Sequence, residues 1–570
     1  MQPDPSIFVS KGLFPENLPP VFTSRDIWDG FASLGSSYGV LRDSVGGQAV
    51  YNASKRGGQR RLFRIPHPAF VRDQALFFQK HWGELENLLS RSTGSLSRPA
   101  FYRHGPRHVR ITSHAELPSH RLRKFSRFNL CLITDVSRFF PSVYTHSIPW
   151  AINGKAEAKA DTRQNSQSVW GNKLDFILRQ SQSRQTVGIA VGPDTSKIIS
   201  EILMSSVDDQ FIVRSGSKPP TFLRHVDDYW IGGDTQEECE RHLSNLRTAL
   251  RDHELDINES KTKIVSSKYV FGDDWPVEFE RELERYLVGN FAGPGGILPL
   301  LSSAVSIATE KNDDGVIRRT VRKIDEYKGW SRDWVTLEHF LAQCSLQFPH
   351  SFDYVARVVA WRRRIGNPID TALWIDIAQS VAKSRGSSGY DSEAVWALWL
   401  LKELGVRVVK GISEPLVESC GSLTKAFLAH MGANGMLVDR QWRGKLVEAV
   451  EGEPLSGSDW PLTLELVHLG KGLDSWLADG DGPAMRLLHE QRRSIIDWSA
   501  PPKVFGEHDE GPDGGPDDDQ DSPENALEHY GDDYGEFRNE DEPDETDDTD
   551  DPEHNDSDID IADLFADILL

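Results

Sequence analysis

Three acidic residues carry the chemistry that this chain can be read for. Asp227 and Asp228 are adjacent and lie between two β-prone runs, residues 222–226 and 229–233. The pattern predicts a hairpin: one strand up to Val226, a tight turn at Asp227-Asp228 and a second strand from Tyr229. Such a turn presents both carboxylates at one edge of a sheet. Held side by side they repel unless a cation sits between them, and hard oxygen ligands select Mg²⁺ or Mn²⁺. Asp is also a common turn residue for purely local reasons, so this stretch alone does not decide between the two readings.

Asp135 adds the third carboxylate. It ends a largely apolar, strand-like run, residues 129–134, about ninety residues upstream. A lone Asp at the end of a buried strand together with an Asp-Asp hairpin is the layout of a two-metal nucleotidyl-transfer site. One cation activates the attacking hydroxyl and the other holds the triphosphate and the leaving oxygen. A second Val-Asp-Asp string, Val207-Asp208-Asp209, lies in a run from 196 to 212 with helical period. Adjacent residues on a helix diverge by about 100° and cannot both face one metal pair, so these two acids are expected on a solvated face.

The segments around these acids resemble reverse transcriptases. The stretch at Asp135, continuing Val136-Ser137-Arg138-Phe139-Phe140, looks like motif A, and His225-Val226-Asp227-Asp228 looks like motif C. Between them, Gln185-Thr186-Val187-Gly188-Ile189-Ala190-Val191-Gly192-Pro193-Asp194-Thr195-Ser196 resembles motif B. Three further stretches, residues 12–20, 144–150 and 191–196, are similar to the bacterial abortive-infection and defence-associated subgroup. The resemblance covers roughly residues 10–270. It implies that Asp135, Asp227 and Asp228, with the Val136 carbonyl, ligate Mg²⁺ (or Mn²⁺). It implies that Phe140 is an aromatic gate favouring dNTPs over rNTPs. Residues 255–265 resemble motif D, where a Lys protonates the pyrophosphate leaving group; Lys261 is the candidate and Lys263 the second choice. In motif B, Gly188 and Gly192 let the backbone approach substrate closely, and Pro193 to Ser196 suit the start of a helix running on through Leu203.

The resemblance implies that Arg60, Arg61 and Arg64 lie where polymerase fingers hold template backbone or triphosphate, each cation offsetting one negative charge; a solvated basic loop is the alternative reading. A second basic stretch, residues 103–127, holds six arginines, one lysine and four histidines. It reads either as a nucleic-acid track or as a solvated face.

Composition fits this picture once the C-terminus is set apart. The net charge is −23, but residues 507–570 contain 28 acids against one arginine, a net of −27, which leaves the rest of the chain at +4. The four cysteines are scattered without metal-ligand spacing, which argues for a reducing compartment and against zinc or disulfides. No apolar run approaches membrane-spanning length and there is no signal-peptide pattern, so a soluble cytoplasmic protein is expected.

The elements divide accordingly. The expected fold is α+β: an N-terminal extension (1–50), reverse-transcriptase fingers and palm (51–275), an all-α domain with no clean repeat period (276–500) and a disordered acidic tail (501–570). Trp361, Trp374, Trp396 and Trp399 read as core. The tail ends in apolar residues at helical spacing among acids, and it reads as a solubilising tail or as a docking segment that mimics nucleic acid. The expected function is a DNA polymerase using dNTPs in antiphage defence, with template-independent or protein-primed synthesis open to it. Copying a dedicated non-coding RNA, and a catalytically dead scaffold, are the alternatives. DNA product, an RNA template and a homo-oligomer are the expected partners.

Overall fold

Alternating side chains at the centre of the chain build the element that positions the acids. The structure, a computed structural model, describes residues 2–269, 277–289, 296–470 and 483–502, all within one compact unit, Met1–Gly535. The acidic tail lies outside the described residues. A short 3-10 turn spans Ser267–Tyr269.

The described residues form eight strands in three sheets. β1 (Gln48–Ser54) and β2 (Arg60–Pro66) make an antiparallel hairpin. β3 (Ala100–Phe101) and β4 (Val109–Arg110) make a short one. The palm sheet has β5 (Leu130–Asp135), β6 (Phe222–His225), β7 (Asp228–Gly233) and β8 (Lys263–Ser266), in the order β6-β7-β5-β8. All its pairings are antiparallel.

Period-two alternation gives this sheet two apolar faces. Leu132, Tyr229 and Ile231 pack with the helices Asp194–Arg214 and Gln236–Arg251. Cys131, Ile133, Leu223 and Trp230 face the other way, against Leu117 and Phe125 of the helix Leu117–Phe125. Covered on both sides, β5 reads in sequence as a nearly continuous apolar run.

A second core is shared between the two ends of the chain. Leu13, Phe14, Tyr51, Phe63 and Ile65 join Trp374, Trp396, Trp399, Phe427 and Trp460 in one cluster. Of the C-terminal helices, Asp391–Glu403 and Ser422–Ala433 pack on β1, and Pro483–Glu490 packs on the N-terminal turn Trp28–Leu34. Trp374, Trp396 and Trp399 are buried, as their spacing suggested, and Trp361 is partly buried. All four cysteines are buried and unpaired with one another. No helix among the described residues is long and apolar enough to cross a membrane.

Candidate active site

The β6–β7 turn comes one residue earlier than its sequence suggested. His225 pairs with Asp228, so the two turn residues are Val226 and Asp227, and Asp228 opens β7. Val226 has a φ of 55°, an uncommon conformation for a β-branched residue and one that neighbours must enforce. Asp228 is in turn the direct cross-strand partner of Asp135 on β5. Side chains so paired share one face, about 5 Å apart at Cβ. The Val136 N–H donates to the Asp227 carbonyl at 3.2 Å, so the third acid joins the same corner of the sheet. Asp135 and Asp227 are buried, and Asp228 is partly exposed.

The loop before β8 brings in the lysine. Asn258 N–H donates to the Asp135 carbonyl at 2.8 Å, Ser137 N–H to that of Asp256 at 2.9 Å, and the Thr134 and Thr262 hydroxyls lie 2.7 Å apart. This strapping sets Lys261 Nζ 3.1 Å from Asp135 Oδ2. Lys263 points outward from β8. Burial raises the Asp135 carboxyl above its ordinary range; Lys261 and Asn258 pull it back only in part.

Asp135 Oδ1 is buried and accepts no hydrogen bond, which fits a cation's place. Among the described residues no three or more His, Cys, Asp or Glu side chains, Asp135, Asp227 and Asp228 included, are placed to hold a metal ion by themselves. That is compatible with Mg²⁺, which binds one or two carboxylates and takes the rest of its shell from substrate phosphates and water. The donor set of Asp135, Asp227, Asp228 and the Val136 carbonyl therefore fits such an ion.

The motif B loop closes another side. Ile189 N–H donates to the Phe140 carbonyl at 2.9 Å and Gly188 N–H to that of Val143 at 2.8 Å. Gly188 has a φ of 89° and backs onto Pro141, while Gly192 has a φ of 126°. Phe140 is 6% exposed and meets Phe139 edge to face, so most of its ring belongs to the palm core. The helix starts at Asp194 with Pro193 as its cap. Arg64 N–H donates to the Val191 carbonyl at 3.0 Å, which joins β2 to this loop beside Gly192, and the Arg64 side chain is exposed.

Other cations are committed elsewhere. Arg60 donates to both Glu393 carboxylate oxygens at 2.5 and 3.1 Å and to Asn52, and it stacks 4.1 Å from the Tyr390 ring centroid. Its fork is filled by the helix Asp391–Glu403, which corrects its expected role toward substrate. In the second basic stretch Arg107 is buried, donating to Asp194 at 2.7 Å and to the Gly192 carbonyl. Burial raises the Asp194 carboxyl, but Arg107 and Lys197 outweigh it and hold the group below its usual range. Arg121 is also buried, 4.6 Å from the Trp230 ring centroid. A solvated basic face therefore does not describe these residues.

The Val207-Asp208-Asp209 string requires a second correction. Asp209 is exposed as expected, but Asp208 is fully buried. It accepts from Arg224 Nε at 2.8 Å, Tyr229 Oη at 2.6 Å and Ser92 Oγ at 2.5 Å. Only an arginine on the neighbouring strand could have signalled this, and Arg224 sits three residues before Asp227.

Comparison with known proteins accords with this geometry. Residues 98–284 match the family described as reverse transcriptase (RNA-dependent DNA polymerase). No curated protein matches the chain. Among solved structures, the chain is similar to an apo telomerase from Candida tropicalis truncated from its C-terminal domain, at 14% identity over 44% of this chain and 56% of that one, with a TM-score of 0.26. It is similar to telomerase from Candida albicans in complex with a fragment of telomeric RNA, at 13% identity over 66% of this chain and 69% of that one, with a TM-score of 0.26. The apo telomerase from Candida tropicalis matches at 10% identity over 77% of this chain and 73% of that one, with a TM-score of 0.30. The chain thus spans a little over half the length of the first of these. Residues 98–284, which bring Asp135, Asp227, Asp228 and Lys261 to one corner of the palm sheet, thus match the reverse transcriptase family.

Proposed function

We propose that the chain is a DNA polymerase of the reverse-transcriptase type, extending a hydroxyl with dNTPs. The observation that carries this reading is the direct pairing of Asp135 with Asp228 beneath Lys261. Mg²⁺ or Mn²⁺ held by Asp135, Asp227, Asp228 and the Val136 carbonyl would polarise the attacking hydroxyl and neutralise the triphosphate. The hydroxyl gives its proton to solvent as its oxygen bonds to the α-phosphorus, the bond to pyrophosphate breaks, and Lys261 donates a proton to that leaving group. Phe140, at the end of the loop that the Ile189 N–H grips, limits room at the sugar 2′ position. Arg64, exposed beside Gly192, faces the incoming phosphates.

The resemblance of residues 12–20, 144–150 and 191–196 to the defence-associated subgroup supports a role in antiphage defence. It also supports synthesis primed from a protein hydroxyl without a template. The test is incorporation of each labelled dNTP by the full chain with Mg²⁺, with and without added RNA, beside an Asp227→Ala/Asp228→Ala control. Label that stays on protein until proteinase treatment supports protein priming. Label that appears only with RNA supports templated copying. Incorporation equal to the control under every condition overturns the polymerase reading.

A further inference from the structure

The catalytic turn rests on a buried polar network that no metal-ligand role explains. Arg224, Glu201, Asp208 and Tyr229 are each 0 or 1% exposed. Arg224 Nη1 and Nη2 donate to the two Glu201 oxygens at 2.9 and 3.1 Å, and its Nε donates to Asp208 at 2.8 Å. Its remaining reach is spent on the turn, where Nη1 donates to the Val226 carbonyl at 3.0 Å. Buried charges persist only when paired and hydrogen-bonded, and an Arg fork filled in this way has one orientation.

The second half of the cradle is the segment 92–97. It runs beside β6, with Ser95 bridged in parallel to Arg224 and backbone bonds of 2.8 Å on either side of that bridge. Ser92 donates to Asp208 and Ser95 to Glu201, while Ser97 Oγ accepts the Val226 N–H at 2.6 Å. A side chain at Gly94 would meet the Phe222 ring at 2.4 Å, so the segment lies flush against the strand. Both polar groups of the Val226 peptide backbone are therefore held by buried side chains, at the one turn residue with a left-handed φ.

We propose that Arg224 and Ser97 are positioning residues that clamp the Val226 backbone from opposite sides, so that Asp227 and Asp228 are presented to the metal ions in one fixed geometry. Glu201, Asp208 and the serines of residues 92–97 act by fixing the Arg224 fork. The inference rests on the polymerase reading above. Small displacements of a ligand set cost turnover more than substrate binding, because the transition state demands the tighter geometry.

The test uses the full chain with Ser97→Ala, Ser97→Thr and Arg224→Lys, each measured for dNTP incorporation, Mn²⁺ binding to the free protein and thermal melting. The Ser97→Ala variant should lose about tenfold in kcat with KM for dNTP unchanged, and bind Mn²⁺ roughly threefold more weakly, while melting near the wild type. The Ser97→Thr variant, which keeps the hydroxyl, should recover most of both losses. Arg224→Lys should show the same split, more strongly; if it does not fold, the Ser97 pair decides. Wild-type kcat and Mn²⁺ affinity in Ser97→Ala, or a loss confined to KM, overturns the proposal while the polymerase reading stands. A wild-type chain that neither incorporates dNTP nor binds Mn²⁺ overturns both.

Discussion

Neutral histidine at the β6–β7 hairpin should make this protein acid-labile in a way that one substitution can isolate. His225 is 1% exposed, and its Nε2 lies 2.9 Å from the Thr112 carbonyl, so Nε2 carries the proton and donates it. Burial is the main cause that pushes the ring from its ordinary 6.5 down to about 4. In the unfolded chain the ring protonates near the ordinary value. Between the two values the unfolded state therefore binds more protons, and stability falls as pH falls. Each unit is worth about 1.4 kcal/mol, so His225 alone should remove about 2 kcal/mol between about pH 7.5 and about pH 5 and about 3 kcal/mol once fully titrated. His225→Gln keeps an amide donor for Thr112 but cannot titrate. Urea unfolding of both proteins at the two pH values gives the answer as a difference of differences, which cancels other buried histidines such as His489, also held near 4. An equal pH dependence in the two proteins would refute the reasoning.

Three further outcomes follow from side chains at and around the site. Lys261→Ala should lower kcat by about 10²-fold, since general acids contribute on that scale; unchanged turnover would remove Lys261 from the reaction. Arg60→Ala leaves Glu393 buried without its partner and should cost about 3 kcal/mol in a denaturant titration, whereas Arg64→Ala should raise KM for dNTP with no change in melting. The reverse pattern would restore Arg60 to the substrate. Gly94→Ala drives a methyl into the Phe222 ring and should cost about 1–3 kcal/mol by overpacking, which a thermal melt would register as a lower midpoint.

The placing of Asp135, Asp227 and Asp228 was legible because it obeys local rules. β5 is an apolar run that ends in Asp, and β6 and β7 are short β-prone runs about a turn, so periodicity and turn chemistry were enough to locate the carboxylates. Lys261 was legible by resemblance, although its distance from Asp135 was not. What escaped were side chains whose partners lie far along the chain. Asp208 looked solvated because the helical-wheel argument compared it only with its neighbour Asp209, and a buried acid is stable only with a cation that no local pattern supplies; here that cation is Arg224. Arg60 looked available for the same reason, its partner being 333 residues away. The turn was displaced by one residue because Val is the wrong residue for positive φ, a violation that Ser97 and Arg224 enforce from outside.

The meeting of the β1–β2 hairpin with the helix Asp391–Glu403 also sets an order of events during synthesis. Asn52 N–H and Gly421 N–H both donate to Asp391, Gly57 N–H donates to Asp314, and Trp460 donates to the Ile65 carbonyl. A chain emerging from the ribosome can complete its palm sheet once residue 266 is out, yet the rest of the hairpin's cover, Trp396, Trp399, Phe427 and Trp460, is complete only once residue 460 follows. At roughly 10 residues per second that interval is about twenty seconds. Throughout it Asp135 and Asp228 can pair across the palm sheet while the hairpin that carries Arg64 lacks its C-terminal cover.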